Sequence, residues 1–364
     1  MRISELLDER RLTEHLRNGL VSARRHSRLS LTIYNYTPQC MFANHWDDVT
    51  EQCRGLIVND AGRVIARPFR KFFNLNTSFR PETHEANLPL GPPEVTDKLD
   101  GSLGILWQYD GEVGIATRGA FESEQAIWAT RWFQDRFGDG RALGWPEDHT
   151  PLFEIVYKSN RIVVDYGEQE GLFLLGLINN QTGGELAHVQ LTPYSAAHGL
   201  AVVAGFNKSL AECVAEQRAN SEGYVLCWRS TRPPLRVKVK FAEYLRLHKL
   251  LTGISPKTIW EMLRDELPLD SLTANVPEDF RQWVANWNQR LVSHYVALET
   301  AAQRHFAGQP VGDRKTIAEY FKQKPELCSI LFSMLDGKSY DEAIWRMCRP
   351  KVGPEDVFKK DTER

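Results

Sequence analysis

The stretch VTDKLDGSLGIL, residues 95–106, decides how the chain is read. β-Branched and apolar residues flank Asp100-Gly101, which spells a strand, a tight turn and a second strand. Lys98 stands at the end of the first strand, with Asp97 before it and Asp100 after it. Alone this reads as an ordinary solvated turn, because charged residues and Asp-Gly pairs abound there. The reading changes because other charged residues interrupt segments that should be buried. Arg54 opens the apolar run CRGLIV, and Lys71 sits among the aromatics of RPFRKFFNL. Glu154 lies in the middle of LFEIV, and Glu222 comes just before the strand GYVLCW. In VKVKF, Lys238 and Lys240 alternate with apolar residues, so both ammonium groups emerge on one face.

Each residue also has a plain structural reading. Glu154 could be a satisfied core carboxylate, Lys238 and Lys240 a solvated edge, and Asp100 a turn residue. An unpaired buried charge is costly, however, so a carboxylate inside LFEIV implies cationic or hydroxyl partners. Several cations and two carboxylates converging on one pocket is the composition of a nucleotide site. The cations would neutralise phosphates, and the carboxylates would hold sugar hydroxyls or a metal. No G-x-x-x-x-G-K-[ST] cradle occurs, and Gly337-Lys338-Ser339 lacks the upstream glycine, so side chains would meet the phosphates.

Composition sets broad bounds. The 364 residues suffice for two domains, and 42% hydrophobic with 25% charged residues is ordinary for a soluble protein. The charged N-terminus has no apolar run fit for a signal peptide, and no segment approaches a membrane span, so a cytoplasmic location is expected. Six scattered cysteines without a C-x-x-C pair point to reduced thiols. A net charge of −2 means that a nucleic-acid partner must be held by a local patch.

Along the chain, residues 3–26 follow a helical period. LTIYNY, GLIV, RVIARPF, SLGILWQY, EVGIAT, LFEIV, RIVVDY, GLFLLGLI, GYVLCW and LRVKVKF read as strands, with Asp110-Gly111 as the strongest hairpin signal. Helices fit 123–137, 195–198 and 210–218. After Lys240 the texture becomes helical: 243–251, 256–264, a long helix from Pro277, then 314–323, 327–335 and 340–348. Along the long helix Phe280, Val284, Trp287, Leu291, Tyr295 and Leu298 recur at spacings of three and four. The tail KKDTER reads as frayed. The expected class is α+β: a domain over 1–242 built on antiparallel sheets, then an all-helical domain over 243–364.

Taken in order, KLDGS, FEIV, SEGYVL and KVKF resemble motifs I, III, IV and V of the covalent nucleotidyltransferases, which include DNA ligases, RNA ligases and mRNA capping enzymes. Within that superfamily CRGLIV, RPFRKFFNLN, ATRGAFESEQA, NRIVVDY and KVKFAEYLRLHKL resemble the bacteriophage RNA ligase 1 family over roughly residues 30–250. The resemblance implies an ATP-grasp-like ligase domain with Lys98 as nucleophile on the α-phosphate of ATP. Lysyl-AMP would form, AMP would pass to an RNA 5′-phosphate, and a 3′-hydroxyl would close the strand. An amine must be neutral to attack, and its ordinary pKa is about 10.4, so nearby cations such as Arg54, Lys238 and Lys240 would favour deprotonation.

The same resemblance implies that Arg54 and Glu154 contact the ribose and that Lys238 and Lys240 grip the α-phosphate. Glu222 would orient Lys98 or support the metal, and Lys71 would touch the triphosphate. Tyr36, with Tyr34 as the competing placement, would lie near the nucleotide. Arg118 stands where the family has lysine, which keeps the charge with a different geometry. Asp100 is counted with the catalytic set. The implied cofactors are ATP and Mg2+, with Mn2+ as an alternative. The implied partner is RNA with 3′-hydroxyl and 5′-phosphate ends, broken tRNA among them, acted on by a monomer.

Two other readings are weighed. A DNA ligase or capping enzyme would continue into a strand-rich OB-fold, whereas EYLRLHKLL turns helical. A non-catalytic RNA-binding or nucleotide-sensing protein would be expected to lose Lys98 or a motif V lysine, and all are present. From Ala242 to Arg364 there are 18 Lys+Arg and 18 Asp+Glu, so the helical segment carries no net attraction for RNA.

Overall fold

The computed structural model describes residues 1–274, 276–351, 353 and 358; the KKDTER tail lies outside them. Residues 3–26 do not form one helical segment. They fold as α1 (Ile3–Leu6), α2 (Glu9–Arg17) and a strand, β1 (Val21–Arg25). Asp8 caps α2 by accepting from the Arg10 and Arg11 amides. β1 instead finds its backbone partners in β2 (Leu31–Tyr36). After α3 (Pro38–Phe42) and α4 (Asp48–Gln52), β3 (Arg54–Asn59) and β4 (Val64–Ala66) complete the first sheet, in order β1-β2-β3-β4. RVIARPF is strand only over Val64–Ala66.

The chain continues through β5 (Phe73–Asn74), β6 (Glu94–Lys98), β7 (Ser102–Tyr109), β8 (Glu112–Ala116), β9 (His149–Val156) and β10 (Gly171–Asn179). β11 (Gly205–Phe206), β12 (Gly223–Trp228) and β13 (Leu235–Lys240) follow. One sheet has the order β10-β9-β7-β8 and the other β11-β6-β12-β13-β5. Pairing is antiparallel except between β13 and β5. Asp110 and Gly111 have φ of +52° and +77°, the left-handed pair that a two-residue β7–β8 hairpin requires. α5 (Glu124–Phe137), capped by Ser123, packs Ala129 and Phe133 on Phe153, Ile155 and Leu172. A second core joins Leu31, Ile33 and Ile57 to Ile105 and Leu152. These apolar contacts hold the first sheet against the second.

RIVVDY forms no strand. Ile162, Val163 and Val164 are buried in a loop whose backbone bonds to a side chain, as described below. Residues 195–198 end a longer helix, α6 (His188–His198), and 210–218 shortens to α7 (Leu210–Ala215). α8 (Ala242–Gly253) follows β13 directly. All six cysteines are free.

The chain divides into two compact units, Met1–Leu245 and Arg246–Asp361. Apart from the last turns of α8, the second unit contains α9 (Pro256–Arg264), α10 (Asp270–Thr273), α11 (Glu278–Ala307), α12 (Arg314–Phe321), α13 (Cys328–Leu335) and α14 (Asp341–Met347). Phe280, Val284 and Leu291 bury one stripe of α11, with Trp287, Tyr295 and Leu298 half-buried beside them. The Trp260 indole donates to the Trp345 carbonyl at 2.7 Å. Among the described residues no helix is long and apolar enough to cross a membrane.

Candidate active site

Three neighbouring strands place the central charges. Gly223, the first residue of β12, pairs with Lys98 of β6 on one side and Lys240 of β13 on the other. The residue before it, Glu222, therefore reaches both lysines. Its Oε1 lies 2.8 Å from Lys98 Nζ and 2.9 Å from Lys240 Nζ, and the side chain is 1% exposed. A carboxylate this deeply buried needs such partners, since an unpaired one costs several kcal/mol. Sharing one oxygen also brings the two ammonium groups to at most about 6 Å. At an effective dielectric near 20 they repel by about 3 kcal/mol, which eases loss of a proton from one of them. Glu222 itself favours the ammonium form while it orients Lys98, so release of the proton depends on what else enters the site.

Lys238 shares a face with Lys240, while Val237 and Val239 point into the core. Its Nζ stands 5.1 Å from the centre of the Phe72 ring, and Arg54 Cζ approaches the same ring at 5.4 Å. Phe72 thus presents one aromatic ring to a cation from β3 and a cation from β13.

Glu154 opposes Leu103 across the β7–β9 pair, and its Oε1 accepts the Gly101 amide at 3.0 Å. The turn must be glycine here, because a Cβ on Gly101 would lie 2.4 Å from the Ile155 carbonyl oxygen. Burial pushes the Glu154 carboxyl up to about 8, against the pull of Lys98. Glu222 and Asp100 push the same way, and Arg54 opposes them.

Asp100 is 3% exposed and its carboxylate is fully engaged. Oδ2 accepts the Val163 and Val164 amides at 2.7 and 2.8 Å, and Oδ1 accepts the Tyr244 hydroxyl at 2.8 Å. Its own amide donates to the Tyr166 hydroxyl oxygen at 2.7 Å. This is why RIVVDY is not a strand: its amides bond to a carboxylate instead of a neighbouring ladder. Burial holds the Tyr166 phenol above its ordinary value, so it stays neutral. Asp100 thereby ties the Lys98 turn to that loop and to α8, which makes it a positioning residue.

The last group gathers at Tyr36, which is 2% exposed. Arg118 Nη1 donates to its hydroxyl at 2.8 Å, and Lys71 Nζ lies 5.3, 5.2 and 5.5 Å from the centres of the Tyr36, Trp46 and Phe73 rings. Burial would raise the phenol, but Arg118, Lys71 and Arg54 together bring it below its usual value. Tyr34 packs instead with Ile3, Leu7 and Leu56. A cleft of about 1130 Å3 opens beside Trp46, Lys71, Phe72 and Phe73. Lys71 lines it and Lys98 does not. Most of its arginines are in ion pairs, Arg70 and Arg80 with Glu51, and Arg229 and Arg236 with Glu185.

The structure thus joins Lys98, Glu222 and Lys240 directly, sets Glu154 and Asp100 behind them, and places Arg54 with Lys238, and Tyr36 with Lys71 and Arg118, on flanking elements. Phe72, Tyr166 and Tyr244 are absent from the sequence-based set. Nothing local separates them from core aromatics; the Tyr244 position four residues after Lys240 was the only available hint.

A family model described as RNA ligase matches residues 52–244, just over half of the chain. A protein of Autographa californica nuclear polyhedrosis virus, described as a bifunctional polynucleotide kinase/RNA ligase, is 28% identical over 256 residues, covering 61% of this chain and 35% of that protein. An RNA ligase by description from Thermovibrio ammonificans is 28% identical over 214 residues, 55% of this chain and 54% of its own length. The chain therefore spans about a third to a half of these relatives. An archaeal ATP-dependent RNA ligase shares the fold with a TM-score of 0.50 at 15% identity, covering 93% of this chain and 98% of that one.

Proposed function

The chain belongs to the RNA ligase family, and on that premise we propose that it is an ATP-dependent enzyme that joins RNA 3′-hydroxyl and 5′-phosphate ends through a lysyl-AMP adduct. The observation that carries the reading is the Lys98–Glu222–Lys240 arrangement: two ammonium groups on one buried carboxylate, at the ends of two strands paired to the same glycine.

Glu222 fixes the Lys98 amine, and the neutral amine attacks the α-phosphorus of ATP. The N–P bond forms as the bond to pyrophosphate breaks, and the proton lost from the nitrogen passes to solvent. Lys240 and Lys238, on one face of β13, stabilise the charge that builds on the α-phosphate oxygens. A divalent cation, Mg2+ or Mn2+, supplies further charge neutralisation at the phosphates. Since Glu222 faces two ammonium groups, its geometry suits orienting Lys98 better than holding that ion. Glu154, carrying its proton at neutral pH, offers the ribose both a donor and an acceptor. Arg54 and Lys238 keep Phe72 and the phosphate side of the site cationic. AMP then passes to an RNA 5′-phosphate, and a 3′-hydroxyl displaces it. The helical unit serves choice of RNA, broken tRNA being the substrate to compare first.

Incubation with α-labelled ATP and denaturing electrophoresis tests the first step. The wild-type chain should retain label, and Lys98→Ala and Lys98→Arg should not, because arginine keeps the charge and cannot supply a neutral amine. Label retained by the arginine variant would remove Lys98 from its role. Sealing of 5′-phosphorylated RNA, with DNA of the same sequence left open, tests the substrate class.

A further inference from the structure

A second group of ligating side chains lies outside the residues assigned to the reaction. His15 of α2, His45 in the turn after α3 and Asp47 at the start of α4 each offer one ligand atom, and these atoms all lie within 4.8 Å of one another. His15 is 5% exposed, and its Nε2 is 2.7 Å from Asp47 Oδ2. The two imidazole rings meet edge to face with centres 5.2 Å apart. The Asp47 oxygens are divided in use. Oδ1 caps α4 by accepting the Val49 and Thr50 amides, which leaves Oδ2 to meet His15.

The surrounding backbone is held firmly enough to present ligands. The His45 carbonyl accepts from the Cys40 thiol at 3.0 Å and the Thr50 hydroxyl at 3.2 Å, and the Asp47 amide donates to Thr50 Oγ1 at 2.8 Å. His15 is locked inside, and His45 is exposed and able to turn. We propose that His15, His45 and Asp47 form a binding site for a transition-metal ion of the Zn2+ class. Two imidazoles and one carboxylate are the donor set such ions take, with a fourth position for water. Mg2+ prefers oxygen ligands and keeps its waters, so this site is not suited to the cation that accompanies ATP. Tetrahedral Zn2+ with bonds of about 2.0–2.1 Å needs ligand atoms roughly 3.3 Å apart. The present spacing reaches that by an inward turn of His45, with His15 Nε2 and Asp47 Oδ2, now 2.7 Å apart, spreading by about 0.6 Å to admit the ion.

One contact opposes the site. Arg11 Nη2 lies 2.5 Å from the same Asp47 Oδ2, and it must move aside. Its side chain is 46% exposed, so water can take up the guanidinium. The consequence reaches the neighbouring site. Trp46, between two of the ligands, packs edge to face on Tyr36 at 4.9 Å and stands over Lys71. A bound ion would fasten the turn that carries this wall.

The inference is independent of the adenylylation reading and has its own readouts. The full chain, stripped with chelator, is titrated with Zn2+ against a chromogenic zinc indicator, and with Co2+ for the visible bands of a tetrahedral site. One ion per chain is expected, with a rise in melting temperature. His45→Ala, at an exposed position, and Asp47→Ser, which keeps a cap for α4, should lose at least about 100-fold in affinity. Even an outer-shell partner is worth about 10–100-fold. Neither variant should gain melting temperature from Zn2+. Failure of the wild-type chain to take up one ion would overturn the proposal and leave a His15–Asp47 hydrogen bond only. Unchanged Zn2+ affinity in folded His45→Ala would overturn it equally, by placing the ion elsewhere.

Discussion

Asp100 provides a direct test of whether a charge beside Lys98, the proposed nucleophile, acts in chemistry or in placement. In Asp100→Ala three donors lose their acceptor: the Val163 and Val164 amides and the Tyr244 hydroxyl. A stranded buried donor costs about 1–3 kcal/mol, and water entering the gap keeps each near the low end, for a total of about 4 kcal/mol. In a unit of this size about 1 kcal/mol shifts the melting temperature by roughly 2–4 °C, so a fall of roughly 8–16 °C is expected. Asp100→Asn keeps one oxygen for the two valine amides and turns its NH2 toward the Tyr244 oxygen. It loses charge assistance and leaves the Tyr244 hydroxyl proton to find another acceptor, about 2 kcal/mol in all, and should melt roughly 4–8 °C lower. If Asp100 works by holding the Lys98 turn, Asn should form the AMP adduct within about tenfold of wild type. Ala should fall by about 100-fold or more, as a displaced nucleophile does. Calorimetry and single-turnover labelling with α-labelled ATP measure both quantities. An asparagine variant that melts near wild type but adenylylates as poorly as alanine would show that the carboxylate's charge is needed, and the anchoring argument would fail.

Other outcomes follow from the same geometry. Lys240→Ala and Lys238→Ala should fold and lose adenylylation by about 3 kcal/mol of transition-state stabilisation, on the order of 100-fold; near-normal single-turnover rates in both would make β13 a solvated edge. Glu154 binds its proton more tightly folded than unfolded, with a pKa of about 8 against 4.5. Its contribution to stability is therefore fully present below about pH 4.5 and is lost as the pH rises toward 8. Glu154→Gln should flatten that part of the denaturation profile, and an unchanged slope would show that the carboxyl is ionised at neutral pH. Truncation after Gly253, which keeps α8 and hence Tyr244 on Asp100, should leave adduct formation intact and depress sealing of a nicked tRNA anticodon loop more than sealing of an unstructured strand. Equal loss on both RNAs would count against a role of the helices in RNA choice.

Much of the site was legible in the sequence because its signals are local. The period of two in VKVKF puts Lys238 and Lys240 on one face whatever the strand pairs with, and Asp110-Gly111 sets its own hairpin. The long stripe on α11 likewise follows from spacing alone, and a lone glutamate inside LFEIV announced buried partners. The tertiary structure decided which partners those were. Lys98 and Lys240 meet on Glu222 only because β12 pairs with β6 and β13 at Gly223, a register fixed by how the three strands bury Val95, Leu226 and Val237 side by side. The same holds where the local reading failed. VSARR follows a helical period but pairs with β2, and RIVVDY has strand composition but bends so that Asp100 can take its amides. Propensity ranks what a segment can do unaided by fractions of a kcal/mol per residue. A satisfied buried carboxylate or a paired strand is worth more than that, and its partner lies too far along the chain for any local pattern to show.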